Sequence, residues 1–144
     1  MKKVVFVCIH NSGRSQMAEA FAKRLGHGVL EAESAGTLPS EALNPQAVGA
    51  MQEIGYDMSD HYPKIMTSKT IDGADLVVTM GCGVNLDEAA EGGVCPVVFV
   101  PSEDWGLEDP NGQPIEEVRE IRDEIEARVE QLIARIAWDS EKGE

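Results

Sequence analysis

Val4 to Cys8 is a short, unbroken apolar run rich in β-branched residues, and it stops abruptly at His10-Asn11-Ser12-Gly13-Arg14. Such a run suits a strand buried on both faces, as in a parallel sheet with helices on either side. It is far short of the ~20 apolar residues that span a membrane. The small-residue cleavage site of a secretory leader does not follow it. Immediately afterwards, Met17, Phe21 and Leu25 recur every four residues, so Ser15 to Leu25 reads as a helix stopped by Gly26. A buried strand running straight into a helix is the opening of a βαβ unit.

The rest of the chain repeats the alternation. Val29 to Ser34, Ala74 to Met80 and Pro96 to Val100 read as strands, and Pro45 to Ile54 as a helix ended by Gly55. The acidic stretch Asp87 to Gly93 reads as a loop. In Ile115 to Ile136, a stripe of Val118, Ile121, Ile125, Val129, Leu132 and Ile136 marks the longest helix. Pro114 precedes it, Glu116 and Glu117 fill its first turn, and Arg128 and Arg135 lie toward its end, as the helix dipole favours. No repeat, low-complexity tract or linker interrupts this. The expectation is an α/β fold, a single domain over 1–144, with an open parallel sheet flanked by helices.

Charge narrows the partners. Lys and Arg number 12 against 26 Asp and Glu, a formal net charge of −14. So acidic a domain repels nucleic acid phosphates and anionic membranes, and neither is expected as a partner. With no leader and no spanning segment, the chain reads as cytosolic. In that compartment Cys8, Cys82 and Cys95 are expected to be catalytic, redox-active or metal-binding rather than structurally bridged.

Cys8-Ile9-His10-Asn11-Ser12-Gly13-Arg14-Ser15 lies between the first strand and the first helix. Backbone N–H groups at a helix N-terminus favour a bound oxyanion. Small residues such as Ser12 and Gly13 let successive N–H groups turn into one concavity. Arg14 brings a planar fork for two oxygens of a tetrahedral anion. Beside such positive potential a thiol becomes a thiolate, with a pKa in the range ~3.5–7.5. Cys8 is thereby a candidate nucleophile facing an oxyanion. A bare Cys-x5-Arg spacing is weak; its setting at the end of a buried strand gives it meaning.

These residues resemble the low-molecular-weight tyrosine phosphatase superfamily. Asn11 to Glu19, Ser34-Ala35-Gly36, Asn44-Pro45, Asp75 to Met80 and Trp105 to Pro110 are similar to its thioredoxin-coupled arsenate reductase branch. The resemblance covers nearly the whole chain and implies a four-stranded parallel sheet flanked by helices. It implies Cys8 as nucleophile, Arg14 as oxyanion clamp, Asn11 as the residue holding the loop and Ser15 as support for the thiolate. Asp109, before Pro110, would be the general acid; without the resemblance it is an ordinary turn aspartate. Some members bind potassium through residues matching Asn11, Glu19 and Ser34. By spacing alone Glu19 is equally a solvated helix carboxylate.

Reduction of arsenate takes two electrons, which two thiols supply by forming a disulfide. A third thiol can carry that disulfide outward to a thioredoxin-like reductant, and three cysteines are present. Cys82, between Gly81 and Gly83, is expected on the sheet edge that carries the Cys8 loop. Two features depart from the branch. Gly13 stands where cysteine is common, and Cys82 to Cys95 is a longer gap than usual. Cys95 is thus either the third relay thiol or a core residue before the Pro96 to Val100 strand. Two other functions remain: a phosphatase acting on phosphate monoesters, and a non-catalytic oxyanion-binding redox sensor. Tyrosine phosphatases usually carry an aromatic residue after Asp-Pro, and Asn111-Gly112 stands there.

Overall fold

The computed structural model describes residues 2–71, 73–80, 102–107, 110 and 112–142. Its elements are β1 (Lys2–Cys8), α1 (Arg14–Leu25), β2 (Leu30–Gly36), α2 (Pro45–Gln52), α3 (Ser68–Ile71), β3 (Leu76–Thr79), β4 (Ser102–Asp104) and α4 (Ile115–Lys142). The four strands form one parallel sheet in the order β2-β1-β3-β4. β1 is central, and its Val4 to Val7 are fully buried, as its β-branched composition requires. Register sets Cys8 beside Gly36, and Val7 beside Thr79. The C-terminal ends of β1, β2 and β3 therefore meet at one edge, where open parallel sheets place their sites.

Val4, Phe6 and Cys8 point to the face covered by α1 and α4, and share a core with Met17, Phe21, Ile125 and Leu132. Trp105, just past β4, packs its ring 5.7 Å from Phe6 at a tilt of 57°. Proline at the first position and the Asn44 side chain, which accepts from Gln46 N at 2.9 Å, start α2. Arg122 on α4 donates to Ala50 O at 2.8 Å, tying the long helix to α2. No described helix is long and apolar enough to cross a membrane.

The differences from the sequence reading are local. The second strand runs two residues further, to Gly36, because Ala35 and Gly36 stay paired with Val7 and Cys8 of β1. Leu25 is 41% exposed and Ile54 37%, so each apolar face ends one turn early. α4 continues to Lys142, since nothing after Ile136 breaks a helix. The short α3 had no periodicity to announce it. The fourth strand is Ser102–Asp104; the expected Pro96 to Val100 strand and the Asp87 to Gly93 loop lie outside the described residues.

Candidate active site: the Cys8 loop

The loop from Cys8 to Arg14 owes its shape to its carbonyl groups. Thr37 N donates to Cys8 O (3.2 Å), Leu38 N to Ile9 O (2.8 Å), Ser40 N to His10 O (3.0 Å) and Asn44 N to Ser12 O (2.8 Å). The segment after β2 thus pulls four loop carbonyls outward. No described peptide bond is cis. Across a trans peptide the C=O and the next N–H point opposite ways. The N–H groups of Ile9, His10, Asn11 and Gly13 are thereby turned inward, around the Cys8 sulfur. Asn11 N donates to Cys8 Sγ at 3.1 Å, as this requires. The result is a nest of donors at the start of α1, whose first turn holds no acidic residue.

Gly36 permits this crowding. A Cβ on it would lie 2.6 Å from Ile9 O and 3.0 Å from Asn11 N, both backbone atoms that cannot move aside. Gly13 matters for another reason, since a Cβ there would meet the Pro110 ring at 3.0 Å. Pro110 is buried and closes over the loop.

Asn11 adopts φ 50°, the left-handed region that asparagine tolerates better than most residues. Its Nδ2 donates to Ser15 Oγ at 2.8 Å, and its Oδ1 accepts from Lys64 N at 2.8 Å and Gln16 Nε2 at 2.9 Å. Ser15 Oγ lies 2.9 Å from Cys8 Sγ. Asn11 is thus joined to the sulfur through both its own N–H and Ser15. Arg14 is 4% exposed, and its Nη1 donates to Leu107 O at 2.9 Å and Met80 O at 3.5 Å. Those two carbonyls hold the guanidinium between the end of β3 and the segment after β4. His10 is at the rim, exposed, its Nδ1 3.0 Å from Leu38 O.

A second network lies behind the loop. Glu19 is buried; its Oε1 accepts from Ser34 Oγ and from Lys64 Nζ at 3.4 Å, and its Oε2 from Lys23 Nζ at 2.7 Å. Burial works against its charge, but the hydrogen bonds from Lys23 and Ser34 and the nearby ammonium groups hold its carboxyl below the usual range. The solvated helix carboxylate allowed by spacing is not what forms. Gln16 is fully buried, donating from Nε2 to Asn11 O and Tyr62 O and accepting at Oε1 from His61 Nδ1 at 2.9 Å. Burial pushes the His61 pKa down; Glu19 opposes this, and Lys23 and Lys64 reinforce it.

Asn11, Glu19 and Ser34, suggested for potassium, do come together, but the Lys64 ammonium already stands against Glu19 and Ser34. Lys64 Nζ stands 3.4 Å from Glu19 Oε1, Ser34 Oγ and Tyr62 O, and Asn11 Oδ1 is already taken by Gln16 and Lys64 N. A second cation there would be repelled by the first. Among the described residues no group of His, Cys, Asp or Glu is arranged for a metal.

Cys8, Ile9, His10, Asn11, Ser12, Gly13, Arg14 and Ser15 are therefore one compact structure. Cys82, Cys95 and Asp109 lie outside the described residues. Gln16, His61 and Lys64 escaped the sequence reading. A glutamine among the alanines of a helix buried on nearly every side was the signal for the first, and Lys64 had none.

A family model for low molecular weight phosphotyrosine protein phosphatases matches residues 3–142. A glutaredoxin arsenate reductase from Synechocystis sp. is 45% identical over 138 residues, covering 95% of this chain and 100% of that protein. A solved arsenate reductase in its phosphate-binding state superposes with a TM-score of 0.82 at 44% identity, covering 94% of this chain and 99% of that one. The thioredoxin-dependent arsenate reductase of Corynebacterium glutamicum gives a TM-score of 0.77 at 34% identity, over 96% of this chain and 63% of that one. The chain belongs to the low molecular weight phosphotyrosine protein phosphatase family, and within it to the arsenate reductases.

Proposed function

We propose that this protein reduces arsenate to arsenite with Cys8 as nucleophile, and that a dithiol protein of the thioredoxin type restores it. The observation that carries this reading is the ring of inward N–H groups around Cys8 Sγ, set by the four outward carbonyls. A tetrahedral oxyanion fits such a ring, and Arg14 adds charge at its mouth. Donors from Asn11 and Ser15 favour the sulfur as thiolate.

In the chemistry that follows, the Cys8 thiolate attacks arsenic and an oxygen leaves as water, its proton supplied by Asp109. Asp109 directly precedes Pro110, whose ring packs on Gly13. The Cys82 thiolate then attacks Cys8 Sγ. The Cys8–arsenic bond breaks, its electron pair stays on arsenic, and arsenite departs from a Cys8–Cys82 disulfide. Cys82 follows by two residues Met80, whose carbonyl accepts from Arg14. Attack by Cys95 on Cys82 frees Cys8 and leaves a Cys82–Cys95 disulfide for the external dithiol to reduce. The setting is a reducing cytoplasm.

The test gives the protein arsenate with thioredoxin, or separately glutaredoxin and glutathione, each with its NADPH-dependent reductase. An aryl phosphate is offered in parallel. Cys8→Ser should abolish every activity. Cys82→Ser should abolish arsenate reduction alone, and Cys95→Ser should release one arsenite per chain and stall. Aryl phosphate hydrolysis without arsenate reduction in the wild type would make the protein a phosphatase. Continuous turnover of Cys95→Ser would remove Cys95 from the relay.

A further inference from the structure

Glu19 presents a buried negative charge just behind the loop, where a carboxylate without a partner is costly. Its neutralisation comes from two lysines of different standing. Lys23, the next turn of α1, is mostly exposed and reaches the outer oxygen. Lys64 comes from the segment between α2 and α3, its side chain 30% exposed, and its ammonium is enclosed by Glu19, Ser34 and the Tyr62 carbonyl. The same residue's backbone N–H holds Asn11 Oδ1 at 2.8 Å. One residue thus answers the Glu19 charge with its side chain and fixes the Asn11 amide with its backbone. From Asn11 the contacts run through Ser15 to Cys8 Sγ. A cleft of about 670 Å³ lined by Glu19, Lys23, Ser34, His61 and Lys64 opens onto this place, so dissolved ions can reach it.

We infer that Lys64 is a positioning residue whose ammonium is a tethered monovalent cation, making the oxyanion loop indifferent to dissolved potassium. Ammonium and potassium have similar size and charge and suit the same oxygens. A tethered cation cannot be washed out, and it keeps the Lys64 N–H aimed at Asn11. The inference rests on the Cys8 loop being an oxyanion cradle and not on arsenate being its substrate. Phosphate binding and thermal unfolding test it whether or not arsenate is reduced.

The experiment compares wild type with Lys64→Met in potassium, sodium or choline chloride at one ionic strength, with phosphate supplied as the matching salt. Wild type should show the same unfolding midpoint and phosphate Kd in all three; selective improvement by potassium would overturn the inference. Lys64→Met should bind phosphate about tenfold more weakly in choline. Potassium, now able to occupy the vacated oxygens, should restore most of that affinity and raise the unfolding midpoint. Unchanged affinity, or a loss no small cation repairs, would also overturn it. Should Lys64→Met not fold in any salt, the double variant Glu19→Gln/Lys64→Met, with neither charge, should fold and ignore potassium. A double variant that stays unfolded would refute charge compensation as the role of Lys64.

Discussion

Replacing Asn11 by alanine tests how far one side chain maintains the loop. Two losses can be sized from the structure. A φ of 50° costs alanine about 1 kcal/mol more than it costs a residue that tolerates the left-handed region. The Lys64 N–H loses its acceptor, and an unpaired donor costs about 1–3 kcal/mol, nearer the lower end for a half-buried residue. Gln16 keeps the Asn11 and Tyr62 carbonyls, and Ser15 keeps the Cys8 sulfur, so neither is orphaned. The sum is about 2–3 kcal/mol. Against a typical stability of about 5–15 kcal/mol the variant still folds, with a Tm lower by roughly 10 °C. Asn11→Gly loses the same bonds but adopts φ 50° freely. Its looser unfolded chain cancels part of that gain, about 0.4–1 kcal/mol. The glycine variant should therefore be slightly the more stable, while both bind phosphate poorly. Urea unfolding, followed by the fluorescence of buried Trp105, gives the stabilities; calorimetric titration gives the phosphate affinity. An alanine variant losing less than about 1 kcal/mol, with phosphate binding intact, would refute the assignment of Asn11 as the loop's support.

Gly36→Ala should be more damaging than its one methyl suggests, because the new carbon meets backbone rather than side chain. A cost at or above the roughly 1–3 kcal/mol of ordinary overpacking is expected in thermal unfolding, together with lost phosphate binding. The depressed pKa of His61 predicts a pH dependence of stability. The unfolded chain takes up this proton more readily than the folded one, so the contribution is complete above the ordinary value of 6.5 and is lost as pH falls below it. Urea unfolding between pH 7 and 5 should show that decline, and His61→Gln should flatten it; an unchanged slope would place the titrating group elsewhere.

The sequence spoke most clearly where one segment carried the whole message. Val4 to Cys8 declared itself buried on both faces, and the residues after it declared a loop at a helix N-terminus. Cys8 and Arg14 could therefore be read before any contact was known, whereas Asn11 and Ser15 were implied only by the resemblance. Periodicity also placed α4, though not its end, because an apolar stripe marks the buried face and is silent once the helix outruns the core. The network behind the loop was hidden for a different reason. Gln16 meets His61 and Asn11 meets Lys64 across 45 and 53 positions of chain, and no local pattern encodes such a meeting. Gly36 lay beyond the expected Val29 to Ser34 strand and entered only within a motif of the resemblance, since its steric necessity depends on the passage of Ile9 and Asn11 overhead.

The outward carbonyls of Cys8, Ile9, His10 and Ser12 have a bearing on selectivity. A backbone ring fastened at four points has little freedom to adjust its bore to a guest. Phosphate and arsenate share shape and charge, so such a ring admits both, and phosphate competes with arsenate for it. Choice must then fall after entry, on which central atom can accept an electron pair from sulfur and leave in a lower oxidation state. Arsenic can do so where phosphorus does not. Under the proposed mechanism, selection falls to reactivity rather than to fit, and a stiff ring suffices because recognition is deferred to the thiols.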